Sequence, residues 1–183
     1  MTVIFPRKFI YYQTPRTASN SIQNSLTAMY SQGHRAVSQG AITLKQHSDF
    51  SDVPIAYRGL PGITTIRNPF DVICSWWIKC GSNKTISEWI NEYTNDDLIR
   101  NKKLLYHAPH CTFIIRYERD MIKQINMVMN ALDCGTISYM PFLNKTKPKT
   151  EHYSHYYKPK DIDTISKLFH SELNEFDYVF EAR

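Results

Sequence analysis

Three short runs of aromatic and β-branched residues are each followed by a turn and then by apolar residues at helical spacing. This repeated order leaves few folds open to the chain. The runs are residues 9–12 (Phe-Ile-Tyr-Tyr), 63–67 (Ile-Thr-Thr-Ile-Arg) and 111–117 (Cys-Thr-Phe-Ile-Ile-Arg-Tyr). Such side chains fit a pleated surface and predict strands. Ile22, Leu26 and Met29 then recur on one helical stripe, as do Phe70, Ile73, Trp76 or Trp77, and Cys80. Residues 118–132 predict a helix after the third run. Strands that alternate with helices build a central parallel sheet flanked by helices, the α/β class. With no linker or repeat in 183 residues, the expectation is a single domain over residues 1–183.

The intervening stretches carry local signals. Residues 1–7 read as a short lead-in. The first helix is predicted over 19–30, with Gly33 as its C-terminal cap. Residues 34–37 fit a short strand. Residues 38–62 read as an irregular loop, punctuated by Gly40, Pro54, Gly59, Pro61 and Gly62. Asn68 and Pro69 fit the N-cap and first position of the next helix, which Gly81 ends. Thr85-Ile86-Ser87-Glu88 has capping-box form and predicts a helix with Ile86, Trp89, Ile90 and Tyr93 on its apolar face. A short helix is expected over 97–105. Residues 135–158 read as a long loop rich in Lys, Tyr and Pro. A late helix starts at Pro159 and runs to about residue 169, and Ser171 begins a last stretch that ends at 178–180.

Composition narrows the function classes. Apolar residues make up 42% and charged residues 21%, ordinary for a globular protein. The net charge of +5 suits a polyanionic ligand. Lys and Arg are spread along the chain, which argues against a nucleic-acid-binding run. Cys74, Cys80, Cys111 and Cys134 form no C-x-x-C pair and are expected as reduced thiols. No apolar run approaches the roughly 20 residues that span a bilayer. Arg7 and Lys8 directly before the first strand argue against a signal peptide. The expected location is the cytoplasm, with no membrane partner.

In open α/β sheets ligands bind beyond the carboxyl ends of the strands. Arg16, Asn68 and Glu118 each follow a predicted strand there. Residues 14–21, Thr-Pro-Arg-Thr-Ala-Ser-Asn-Ser, join the first strand to the first helix. A helix start presents unpaired N–H groups and a positive dipole end, a seat for phosphate. Arg16 adds charge, and Thr17, Ser19 and Ser21 add hydroxyls; an ordinary capped helix is the plain alternative. Arg67 ends the second strand and Ser75 lies two helical turns on, and a guanidinium with a hydroxyl suits a second phosphate.

The strand followed by T-P-R-T-x-S, with R-N-P-x-D, Ser and Trp downstream, resembles the PAPS-dependent sulfotransferases. Ile115-Arg116-Tyr117-Glu118 is similar to that family's third-strand segment. Tyr156-Tyr157, then a helix and Glu175-Phe176-Asp177-Tyr178, is similar to the ending of its carbohydrate-type branch. The likeness spans most of the chain and is loose over 82–110 and 135–150. It implies a P-loop-like strand–loop–helix. It also implies that Arg16, Thr17, Ala18, Ser19, Asn20 and Ser21 hold the 5′-phosphosulfate of 3′-phosphoadenosine 5′-phosphosulfate (PAPS), and that Arg67 and Ser75 hold its 3′-phosphate. Three departures stand out. Ala18 replaces the usual Gly, Arg16 a common Lys, and Val72 a frequently basic residue. The Arg-Lys-Gly adenine-side loop of the small-molecule branch is missing, and Lys145, Lys147 and Lys149 are candidates to supply that charge.

The implied reaction is in-line transfer of a sulfuryl group to a hydroxyl or amine of a small-molecule or glycan acceptor, leaving 3′,5′-adenosine bisphosphate (PAP), with no metal expected. Arg16 would stabilise the sulfuryl oxygens and leaving phosphate, each charge-assisted bond contributing roughly 1.5–3 kcal/mol. His47 is the candidate base by resemblance to the Lys-His segment of the carbohydrate-type branch; Glu118 and His34 are its rivals. Two other readings are a P-loop nucleotide kinase, for which Asn20-Ser21 replaces the needed Lys-Ser and only Asp71 offers a metal-binding acid, and a non-catalytic nucleotide-binding module. His107 and His110, or His152 and His155, lack the companions of a metal set. Tyr153, Tyr156 and Tyr157 suit either packing or stacking on a base or sugar.

Overall fold

The computed structural model describes residues 2–33, 40–44, 50–81, 83–93, 107–141, 143 and 151–183. They form an α/β protein with a five-stranded mixed sheet. The chain groups into two compact units, Met1–Ile66 with His107–Asn144, and Arg67–Tyr106 with Lys145–Arg183.

The first unit holds the sheet. Its strands are β1 (Thr2–Phe5), β2 (Phe9–Tyr12), β3 (Ile42–Thr43), β4 (Gly62–Ile66) and β5 (Phe113–Arg116), in the order β3-β1-β2-β4-β5. β2, β4 and β5 run parallel, with Tyr12 opposite Thr64 and Ile66 opposite Arg116. β1 pairs antiparallel with both β2 and β3, so the sheet is mixed rather than parallel throughout. Within the expected lead-in, residues 2–7 are therefore a strand and a turn. The turn needs a left-handed residue, which Arg7 supplies at φ 66. β3 and two 3₁₀ turns, Phe50–Asp52 and Ile55–Tyr57, break the expected irregular loop.

Side chains alternate across the sheet with period two. Val3, Phe5, Phe9, Tyr11, Ile63 and Ile115 face one way. Against them pack Ile22, Leu26 and Met29 of helix α1 (Ser19–Gly33), and Ile125, Val128 and Met129 of a later helix (Met121–Ala131). Ile4, Ile10 and Tyr12 face the other way, against Val53. Burying one such aromatic or branched side chain contributes about 1.5–3 kcal/mol. At Gly62 an added Cβ would lie 2.5 Å from the His110 carbonyl oxygen, so only glycine lets β4 pass there.

The later helix starts at Met121, not at residue 118. Asp120 caps it, its carboxylate accepting from the Lys123 N–H at 3.0 Å. Gln124 clamps the helix to the sheet edge. Its amide donates to the Arg116 carbonyl and accepts from the Arg116 N–H, each at 2.9 Å. Among the described residues β5 has no further strand beside it, and the Gln124 side chain does there what a strand would.

The second unit holds α2 (Pro69–Cys80), α3 (Ile86–Tyr93), α5 (Pro159–Leu168) and α6 (His170–Glu175), with α4 as the Met121–Ala131 helix of the first unit. Local signals decide its ends. The Asn68 side chain accepts from the Phe70 N–H at 3.1 Å, Pro69 follows, and Gly81 closes α2 in the left-handed region at φ 60. Thr85 and Glu88 exchange their capping-box bonds at 3.3 and 2.8 Å. The buried face of α2 includes Phe70, Val72, Ile73 and Cys74, whereas Cys80, expected on that face, is exposed. No helix among the described residues is long and apolar enough to cross a membrane. The expected strand at 34–37 and helix at 97–105 lie outside the described residues.

Candidate functional site

In the first unit the turn between β2 and α1 is built by a relay of hydroxyls. The Thr64 hydroxyl donates to the Tyr12 carbonyl at 2.9 Å, so it accepts from Thr14 at 3.0 Å. The Thr17 hydroxyl, fully buried, donates to the Thr14 carbonyl at 2.7 Å. These bonds explain three buried threonines in an otherwise apolar setting. They also engage Thr17 inside the turn, so its side chain shapes the loop. Ser21 is likewise buried, its hydroxyl accepting from the Leu143 N–H at 3.1 Å.

What remains outward is Arg16, Ala18, Ser19 and Asn20, all half-buried or exposed. Arg16 and Ala18 are both left-handed, at φ 63 and 58. Residues of alternating handedness turn successive N–H groups toward one side, a concavity that receives anions. The Ile22 N–H bonds to the Ala18 carbonyl at 3.1 Å, so the first turn of α1 begins here and its leading N–H groups have no intrahelical acceptor. Ala18 stands where glycine carries no penalty; a methyl in this region costs about 1 kcal/mol.

In the second unit Arg67 stands just before the Asn68 cap of α2, Asp71 lies in the first turn of the helix, and Ser75 follows one turn on, on the same stripe as Asp71. Arg67 is 7% exposed and Ser75 3%. The Arg67 Nε donates to Asp71 Oδ2 at 2.6 Å, and Nη2 bonds to the same oxygen. Cys74 lies beside this pair. Burial pushes its thiol up to about 12, against an opposing pull from the Arg67 charge, so it is a neutral thiol at pH 7. Sequence reading singled out Arg67 and Ser75 and missed Asp71 as the partner of Arg67. The Arg–Asp spacing of four at a helix start was the available signal. Val72, the departure from a frequently basic position of the sulfotransferases, is buried.

Asn68 has a second task beyond its cap. Its Nδ2 donates to the Val179 carbonyl at 3.0 Å, drawing the 178–183 segment over the start of α2. Tyr153 accepts from the Glu181 N–H at 3.0 Å, and Tyr157 donates to the Phe70 carbonyl at 2.6 Å. Phe70, Tyr153, Tyr157 and Phe180 pack around one another, edge to face except for Phe70 and Tyr153, whose rings are parallel. Tyr153 and Tyr157 are thus core of this unit. Tyr156 lies against Trp77 at 5.3 Å.

Among the candidate bases, Glu118 is exposed in the turn after β5. His47 and His34 lie outside the described residues, as do Lys145, Lys147 and Lys149. Three of the other histidines have structural contacts. His107 stacks on Tyr12, His110 on Phe50, and His152 caps a 3₁₀ turn through the Ser154 N–H. In the first unit residues 16–18 form the turn and residues 19–21 the start of α1; in the second, Arg67 is brought against Asp71, and Ser75 follows one turn along α2. No protein-family model, curated protein or solved structure matches the chain.

Proposed function

We propose that the protein is a sulfotransferase that moves a sulfuryl group from PAPS to a hydroxyl or amine of a small-molecule or glycan acceptor. The observation that carries the reading is Arg67, a permanently charged side chain only 7% exposed, placed directly before the N-terminus of α2 and paired with Asp71 of its first turn. A planar guanidinium at a helix N-terminus is a fitting partner for a phosphate, and Ser75, further along the helix, is the hydroxyl proposed to join it. In this reading Arg67 and Ser75 take the 3′-phosphate of the nucleotide.

The loop over residues 14–21 supports the other half. It is P-loop-like in the proposal, with backbone N–H groups rather than hydroxyls as the main donors. Arg16 and these groups hold the 5′-phosphosulfate and stabilise charge on the sulfuryl oxygens. The acceptor oxygen bonds to sulfur as the bond from sulfur to the 5′-phosphate oxygen breaks, leaving PAP. The acceptor proton passes to a base, for which His47 is proposed.

Calorimetric titration with 3′,5′-adenosine bisphosphate tests the reading, with 5′-AMP and ATP–Mg²⁺ as controls. The expected result is micromolar or tighter binding of the bisphosphate and much weaker binding of 5′-AMP. Preference for ATP–Mg²⁺ would replace the proposal with a nucleotide kinase. Absence of binding to all three would overturn it.

A further inference from the structure

We propose that Asp71 is an internal stand-in for the phosphate at Arg67, a positioning residue that keeps the guanidinium compensated until a doubly charged ligand takes its place. The identity of that ligand rests on the sulfotransferase reading; the exchange itself does not.

A guanidinium this buried is strongly destabilising without an anion beside it. Asp71 supplies one from the first turn of the helix, where the dipole also favours a carboxylate. Both Nε and Nη2 of Arg67 converge on its single oxygen Oδ2, an arrangement that one phosphate oxygen reproduces. Cys74 stays neutral beside them, so the carboxylate carries the negative charge of the stripe. Ser75 lies one turn beyond Asp71 along α2. An arriving phosphate meets Asp71 as a rival for the same donors and as a like charge. A dianion displaces or shares the guanidinium; a weakly charged ligand does not. Asp71 thereby preserves Arg67 in the ligand-free protein, narrows the choice of ligand and eases release of the product.

The test is Asp71→Asn, which keeps the shape and removes the charge. A carboxylate within about 5 Å opposes a dianion strongly, so the variant is expected to bind 3′,5′-adenosine bisphosphate about tenfold tighter, with 5′-AMP affinity unchanged. Inorganic sulfate is expected to raise its melting temperature by more than it raises that of the unaltered protein. The double variant Arg67→Ala/Asp71→Asn must lose this extra gain; if it keeps it, sulfate acts only by general exclusion from the surface and the proposal falls. Unchanged or weaker bisphosphate binding by Asp71→Asn, with normal binding by the unaltered protein, overturns the stand-in and leaves the sulfotransferase reading intact. No bisphosphate binding by either protein, with the sulfate gain confined to Asp71→Asn, keeps the stand-in and overturns the nucleotide reading. Should Asp71→Asn fail to fold in dilute buffer, refolding in sulfate supports the proposal, and failure there too overturns it.

Discussion

The loop of the first unit and the helix start of the second are two proposed phosphate seats built on opposite principles. The loop turns its hydroxyls inward: Thr14, Thr17 and Thr64 bond to one another and to the backbone, and Ser21 holds residue 143. What it offers outward is backbone geometry, with Arg16 and Ala18 in the left-handed region. The helix start instead relies on a buried side-chain charge with a counter-ion of its own. A seat of N–H groups needs no counter-ion, because backbone dipoles are neutral overall. A guanidinium buried without one would destabilise the fold. Asp71 follows from that difference.

The largest effect is expected from Arg67→Ala. It is expected to weaken bisphosphate binding about a hundredfold, as loss of two charge-assisted bonds would, and to leave 5′-AMP binding nearly unchanged. Titration of both nucleotides reads the split. Equal losses for the two would mean that the helix start does not recognise the 3′-phosphate separately.

A smaller effect is expected from Thr17→Val, which keeps the shape and deletes the donor to the buried Thr14 carbonyl. Urea unfolding should show a loss of about 1–2 kcal/mol. A negligible loss would indicate that this hydroxyl does not shape the loop. The smallest effect belongs to Ala18→Gly. Relief of the left-handed methyl slightly outweighs the added freedom of the unfolded chain, giving a gain of about 0.5 kcal/mol. Destabilisation would show that the Ala18 methyl packs usefully.

Legibility in the sequence followed the range of the interactions. Asn68-Pro69, Gly81 and Thr85-Ile86-Ser87-Glu88 announced helix ends because capping involves residues within four positions of each other. The strands β2, β4 and β5 were legible from their side chains. β1 was not, because its turn uses Arg7 rather than an Asn-Gly pair, and its partners β2 and β3 are chosen by the sheet. The helix start at Asp120 was displaced from Glu118 because a turn intervenes after β5 and Gln124 fixes the register from within the helix. At the candidate site, Arg67 and Ser75 were readable as residue types. The inward turn of Thr17 was not, since nothing local distinguishes a hydroxyl that meets Thr14 from one that meets solvent.

The α/β class, the three aromatic or β-branched strands and the caps of α2 and α3 are written in the order of residues alone. Period, propensity and capping act over a few residues and leave their marks in the chain. Tertiary structure alone decided that the sheet is mixed, that Gly62 must pass beneath the His110 carbonyl, and that Tyr153 and Tyr157 pack as core. It also decided that Arg67 is buried against Asp71. Burial depends on what the rest of the chain brings near. The electrostatic consequence of a charge appears only once its surroundings exclude water.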